Sequence, residues 1–450
     1  MPSFRAALAH ADDAGALAPW RAPDAAREHV ELELLGLAQE MLSRDQRPHP
    51  TLSAGEALFA ELVVRDLDGA FGLPAHAGGS RTARPALDLG VLYGAGPRRQ
   101  PYLYTRADAR RFALDWTRAG EEDLPRNGDA SQGGRFRSDF EQRRTALVAD
   151  PRSDESILTA QLHLALLRTH NALVDRGASF EEARRALRLH AQHVVLRDLL
   201  PKLCSGDAVG AAVERAAIAP VYTPASIDAV AHGALAFVHA LVAKHYALSD
   251  AMPEPLRLFR ELSLASSLEG GRELPPGWAV QWDRFVAWRG SLPQPAMRID
   301  AALARPLKRV PGPHWSDAER HLPYRVLREG VARGLPSGQA VARALGEPAR
   351  PGDEPLLLYV LREAAEECDG LRLGPVGGRL VAHALVDAIA SAEDSLFDAP
   401  GFAPSLGRAG EPFAVADLVA FGGSPMTRED WAARPRVTTS GDARGDARTP

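Results

Sequence analysis

Asp150 to Asp175 reads DPRSDESILTAQLHLALLRTHNALVD: a helix opening, then a long apolar helix. Asp150-Pro151 marks the opening, because proline is tolerated in the first turn and biases the residue before it away from helix. Ser153 or Asp154 can supply the cap, and acidic groups gather where the helix dipole is positive. From Ile157 to Val174 apolar residues fall on nearly every face, so the pattern predicts a helix buried all round. Arg152, Asp154 and Glu155 enter this element at its start. Arg152 and Glu155 stand three apart and, if both are helical, project from one face.

The surrounding chain is helical with long loops. Amphipathic patterns predict helices over 27–44 and 55–68, then a Gly/Ala/Pro-rich loop. A basic, polar stretch runs to about residue 145. Beyond the central helix, EEARRALRLHAQHVVLRDLL (181–200) predicts a helix stopped by Pro201, and a third long helix is expected from about Ile227 to Leu248. Trp278, Trp282 and Trp288 are expected against the core. LPSGQAVARALG (335–346) and GPVGGRLVAHALVDAIASAED (374–394) open further helices. Strand signals are short and scattered. The expected architecture is mainly α, one large helical domain over 51–432 with an N-terminal helical extension over 1–50. The Arg/Asp/Gly/Thr-rich tail over 433–450 has too little apolar content to fold.

With 450 residues and a net charge of −5, the chain can bury a large core and carries an ordinary soluble balance, against general nucleic-acid binding. Only Lys202, Lys244 and Lys308 are lysines, so the cationic surface is arginine. Two cysteines, Cys204 and Cys368, make no disulfide framework. The N-terminal stretch carries Arg5, Asp12 and Asp13 without a continuous apolar run, unlike a signal peptide, and no window has the roughly 18 apolar residues of a membrane span. A cytoplasmic protein without membrane partner is expected.

The run D-P-R-x-D-E followed by Q-L-H-L-A-x-L-R-x-H-N-A-L-V-D resembles the signature of bacterial members of the animal haem peroxidase family. LDLGVLYG, DLPRNG (123–128), VVLRDLLPKL, LPSGQAVARALG, LGPVGGRLVAHAL and FAVADLVAFGG resemble further family segments in order, from about residue 55 to residue 422. The resemblance implies the family's haem-peroxidase-like helical fold, haem b as cofactor, and peroxide reduction coupled to oxidation of an unknown small-molecule donor. It implies that Arg152 lies over the distal haem face as a catalytic cation and that Glu155 reaches a haem methyl. ALAFVHALVAKHYAL (234–248) resembles the family's A-[FY]-R-F-G-H-[ST] helix, which makes His239 the axial ligand of the haem iron. The alternative for His239 is a core histidine held by a backbone carbonyl.

Departures from the family pattern bear on activity. LFAELVVRD (58–66) fits the family's distal segment with Val64 at the Asp position and Arg65 at the His position. Arginine accepts no proton, so it cannot replace the imidazole as base; general acid–base catalysis typically contributes about 10²- to 10⁴-fold. Glu61, Asp66 and Glu155 are the other candidate bases. Ala236 and Val326 stand where the family has an Arg and an Asn near the axial histidine, removing groups that tune it. With Val64 unable to form an ester, the haem is expected to be non-covalent and extractable by acid solvent. Asp66 and Asp88 match calcium ligands, but Arg84 and Gly90 replace the Thr and Ser. The calcium site is therefore expected to be lost to a salt bridge from Arg84. The competing reading is a non-catalytic haem-binding sensor or a haem-free helical scaffold.

His163 and His170 are two turns apart, roughly 10.5 Å, too far to share a metal, and are expected in the core. His190 and His193 also read as structural, and RFRSDFEQRR (135–144) as a solvated loop. No phosphate-binding, zinc-protease or serine-hydrolase motif stands in a convincing context.

Overall fold

The computed structural model of the chain describes residues 11, 17–20, 27–43, 45–67, 85–117, 120–127, 145–218, 230, 233–269, 274–312 and 315–433. Helix α1 (Arg27–Glu40) is followed by strand β1 (Pro48–Ser53) and helix α2 (Ala54–Leu67). The central helix α3 (Ile157–Asp175) leads to α4 (Phe180–Val194) and α5 (Gly206–Ile218). After strand β2 (Pro295–Met297) come α6 (Leu322–Ala332), α7 (Gly338–Ala344), α8 (Leu356–Cys368), α9 (Pro375–Ala390) and α10 (Val415–Phe421). Strands are few: β1 pairs antiparallel with β2, and the remaining ladders are two residues long. The mainly α architecture expected from the apolar periodicity is what forms.

Ser156 caps α3, in place of the expected Ser153 or Asp154. Pro151–Asp154 make a separate 3-10 turn, capped by the Asp150 carboxylate, which accepts the Arg152 N–H. Ser156 then takes an extended backbone (φ −147°, ψ 162°) and exchanges hydrogen bonds with Thr159, a capping box. Ser153 and Asp154 fall inside the preceding turn, so neither can reach the first free N–H groups of α3. The helix itself is buried on nearly all sides, as its sequence requires.

Two other expectations are corrected. The helix expected over 181–200 does not stop at Pro201; beyond α4 it continues as a π turn over Val195–Leu199 and ends at Leu203. Proline lacks an N–H and crowds the carbonyl four residues back. Pro201 sits early in the renewed Leu200–Leu203 turn, after the wider π turn has broken the α register. The long helix expected over 227–248 is instead a 3-10 turn, Leu235–Leu241, followed by extended chain with a strand at His245–Tyr246. Residues 219–229 and 231–232 lie outside the described residues.

Helix α10 packs on α3, α9 on α5, α6 on α1, and α2 directly on the Leu235–Leu241 turn. Gly422, just past α10, shows how closely α10 approaches α3. A Cβ there would meet the Thr169 nitrogen at 2.6 Å and the Arg168 carbonyl carbon at 2.7 Å. Thr169 donates to the Leu418 carbonyl (2.6 Å) and Arg168 to the Gly423 carbonyl (2.6 Å), tying the two helices end to end. What is described of the first 50 residues joins the same core: Trp20 bonds Leu335, and Leu42–Ser43 pair in parallel with Leu303–Ala304. Trp282 is fully buried, with Trp278 and Trp288 packed against the core. The tail beyond Ala433, and RFRSDFEQRR at 135–144, lie outside the described residues.

Candidate functional site

A largely apolar cavity of about 730 Å³ opens between α2, the turn before α3, the Leu235–Leu241 turn and α6. Small-molecule and cofactor sites commonly measure about 300–1,000 Å³. Its wall carries Glu61, Val64 and Arg65 from α2, Arg152 and Glu155 from the turn before α3, and Ala236 and His239 from the 3-10 turn. Val326 and Arg325 from α6 line it as well, with Trp315 beneath the Arg325 guanidinium at 4.7 Å. The structure thus gathers every expected site residue, Arg65, Arg152, Glu155 and His239, around one cavity.

The polar side of the cavity is a chain of ion pairs. Arg65 Nη1 donates to the Arg152 carbonyl (2.8 Å) and Nη2 to the Glu155 carboxylate. Arg65 lies 3.7 Å from Glu61, one helical turn back on the same face. Arg152 donates to Asp150 at 2.6 Å and to the Arg65 carbonyl at 3.1 Å. Glu61 Oε1 stands 2.8 Å from His239 Nδ1. Glu61 is 5% exposed. Burial raises its carboxyl, but His239, Arg65 and Arg152 together outweigh burial and leave it below its ordinary value. An ionised carboxylate only accepts, so the Nδ1–H of His239 donates to it. Asp150 is likewise held down: burial pushes it up, and the charge and hydrogen bonds of Arg152 prevail.

Beneath this layer, Asp154 faces away from the cavity. It pairs with the buried Arg126 (2.9 Å) and accepts from the Ser267 N–H (2.8 Å), while Asp123 takes the other side of the same guanidinium. The turn carrying Arg152 and Glu155 is therefore anchored from below. Sequence reasoning missed two of these partners, Asp150 for Arg152 and Asp154 for Arg126. The first was legible in principle, since an Asp before Pro accepts from the N–H two residues on. The second joins segments far apart and carries no local signal. Glu61 was recognised only as a candidate base, not as the partner of His239.

The resemblance places a haem between His239 on one face and Arg65 with Arg152 on the other. That arrangement needs a layer of free space between imidazole and guanidinium. Here one carboxylate, Glu61, bonds the imidazole and pairs with Arg65, and α2 rests on the turn that carries His239. The Glu61 bond is made at Nδ1, and the cavity of about 730 Å³ that His239, Arg65 and Arg152 all line lies within the size range of cofactor sites. A carboxylate on Nδ1 is a usual partner of a metal-ligating imidazole, so His239 and the cavity it lines fit such a group.

The calcium positions are also engaged elsewhere. Asp66 accepts the N–H groups of Leu89 (2.7 Å) and Val91 (2.9 Å), and burial pushes its carboxyl up to about 7. Asp88 accepts the Glu393 N–H and faces Arg188 at 3.8 Å. Arg84 lies outside the described residues. His170 bonds Tyr93 and the Arg110 carbonyl, and burial brings both His163 and His170 down to about 4, the mark of core groups that stay neutral. His190 bonds the Ala186 carbonyl and accepts from the Ser405 N–H.

A sequence model of the animal haem peroxidase family matches residues 80–310. Among solved structures the chain is similar to peroxidase A of Dictyostelium discoideum. That match has a TM-score of 0.52 at 13% identity and covers 81% of this chain and 83% of that one. It is also similar to a fatty acid alpha-dioxygenase of Arabidopsis thaliana, with a TM-score of 0.46 at 10% identity over 88% of this chain and 73% of the other. At such identities the likeness to peroxidase A is one of fold. No curated protein sequence matches the chain.

Proposed function

Since the chain belongs to the animal haem peroxidase family, membership of which implies haem binding, we propose that it is a peroxidase-like protein with little or no peroxide turnover. The observation that carries this reading is the shared carboxylate: Glu61 holds His239 and pairs with Arg65. Peroxide activation needs a group that takes a proton and later returns it. Arg65 cannot accept one, and its charge is committed to Glu155. Arg152 is committed to Asp150. Glu61 is the buried acid at hand, but a carboxyl held below its ordinary value is a weak proton acceptor.

The test is an absorption spectrum of protein produced with haem supplied, before and after peroxide, alongside turnover with common electron donors. The reading expects turnover no higher than that of free haem and no change with peroxide that depends on Arg152. A peroxide-dependent spectral change with turnover, both lost in Arg152→Ala, overturns it.

A second reading, a slow peroxidase, is favoured by a different observation. His239, Arg65, Arg152 and Glu155 all line one cavity of cofactor size, and Glu61 leaves Nε2 of His239 uncommitted. In that reading His239 would hold the iron of a non-covalent haem b, Arg152 would be the distal cation and Glu155 a haem contact, with calcium lost from the Asp66 site. A cytoplasmic location is proposed from the two cysteines, which form no disulfide. No described helix is long and apolar enough to cross a membrane.

A further inference from the structure

Glu61 and Arg65 stand one turn apart on α2, and both line the cavity. Their neighbours on that wall, Leu58 and Val64, are apolar. A carboxylate buried in such a setting costs free energy unless cations or donors surround it. Glu61 has both kinds of partner. Its Oε1 stands 2.8 Å from His239 Nδ1, and its Oε2 lies 3.7 Å from the Arg65 guanidinium. Arg65 is itself held by Glu155 and by the Arg152 carbonyl. The oxygen that meets the imidazole is therefore fixed from behind.

The other side chains that line the cavity beside His239 give its ring nothing to bond. Leu235, Ala236, Val242 and Val326 carry no polar side-chain atom. Among the described residues, Glu61 is the side chain bonded to the imidazole. A ring nitrogen that donates to a carboxylate fixes the orientation of the ring and makes the ring more basic as a metal ligand. Hydrogen bonds to a charged acceptor are roughly twice as strong as those between neutral groups, so a carboxylate does this more effectively than an amide. Electron density given to a bound iron stabilises its higher charge, and bonds to the axial ligand are one of the levers by which a protein sets haem potential.

We propose that Glu61 is the positioning residue of His239, orienting the imidazole and, through the Nδ1 bond, making it a strongly donating axial ligand that favours ferric over ferrous iron porphyrin. This assignment rests on the reading in which His239 holds the iron, and names the group that sets the strength of that ligand. Glu61 bonds the imidazole and acts through it.

The experiment titrates ferric haem b into the full chain, for wild type, Glu61→Gln and His239→Ala, and follows the Soret band. The ferric/ferrous midpoint potential and the iron–imidazole stretching band of the ferrous protein are then measured for wild type and Glu61→Gln. Glu61→Gln keeps the shape and an acceptor for Nδ1 but drops the charge. It is expected to shift the balance toward ferrous iron by on the order of tenfold, about 59 mV for one electron, and to lower the stretching band. A Glu61 that served only to hold α2 in place would lower stability in the variant and leave potential and band where they were. The wild-type band is also compared with that of imidazole-ligated haem in solution and is expected to lie higher, a readout that needs no variant.

A Soret shift lost in His239→Ala, with potential and band unchanged in Glu61→Gln, overturns the role of Glu61 and leaves His239 as the ligand. So does a wild-type band no higher than that of the free complex. A wild type without a Soret shift, or with one that His239→Ala retains, overturns the reading of His239 as ligand and the role of Glu61 with it.

Discussion

Arg65 and Arg152 exchange bonds across the pocket: the guanidinium of each donates to the backbone carbonyl of the other, at 2.8 and 3.1 Å. Two like charges stand this close because each has its own acid, Glu155 for Arg65 and Asp150 for Arg152. Arg65→Ala leaves Glu155 and Glu61 without their cation in a mostly buried setting. Breaking a buried pair from one side costs about 3–5 kcal/mol, and with Arg65 15% exposed the expected loss is near the lower end. Arg65→Lys should recover only part, because an ammonium lacks the planar fork that reaches Glu155 and the Arg152 carbonyl together. Denaturant midpoints of the two variants check this.

Asp154 and Arg126 form a deeper pair, with side chains 2% and 3% exposed. Asp154→Asn keeps the shape but removes one of the two carboxylates paired with Arg126 and weakens the Ser267 bonds. A loss of about 3 kcal/mol is expected. The variant should also loosen the turn that carries Arg152 and Glu155, measured as faster amide exchange over residues 150–156. Unchanged exchange there would mean the turn is held by Asp150 instead.

Glu363 is 1% exposed and its carboxylate accepts the N–H groups of Val376 (3.0 Å) and Gly377 (2.9 Å) at the start of α9. Burial prevails over these bonds and pushes the carboxyl from 4.5 up to about 7. With the folded value above the unfolded one, the native state holds the extra proton between those values. Glu363 thus contributes stability that is full below about pH 4.5 and is lost as pH rises through 7, up to about 3 kcal/mol. Glu363→Gln should flatten the stability profile between pH 5 and 7.5 relative to wild type. A parallel profile for the variant would contradict the assignment.

Gly422→Ala tests the approach of α10 to α3. The added Cβ would meet backbone atoms of Thr169 and Arg168 at 2.6 and 2.7 Å, and backbone cannot swing aside as a side chain can. Overpacking of this kind costs about 1–3 kcal/mol. A lowered melting temperature with unchanged far-ultraviolet circular dichroism is expected.

Much of this molecule was legible in one dimension. The apolar run from Ile157 to Val174 required a buried helix, α1 and α2 followed from their periodicity, and the scarcity of strand followed from the scarcity of alternating segments. Arg152, Glu155, Arg65 and His239 were singled out, and they do line a common cavity. Where local signals competed, the reading slipped. Ser153, Asp154 and Ser156 are all good caps, and only the backbone course chose Ser156. Pro201 is a helix breaker in isolation, yet a π turn ahead of it let the helix continue.

The sequence alone determined the central helix, the mainly α class, the family and the roster of ionisable groups near the pocket, because periodicity and motif spacing act within one stretch of chain. Only the tertiary structure decided which acid meets which base. Glu61 and His239 are 178 residues apart, and no local pattern records that they touch. Their meeting depends on α2 lying against the Leu235–Leu241 turn, where a buried carboxylate must find a cation or a donor. That requirement, satisfied by packing, joined α2 to the turn that carries His239.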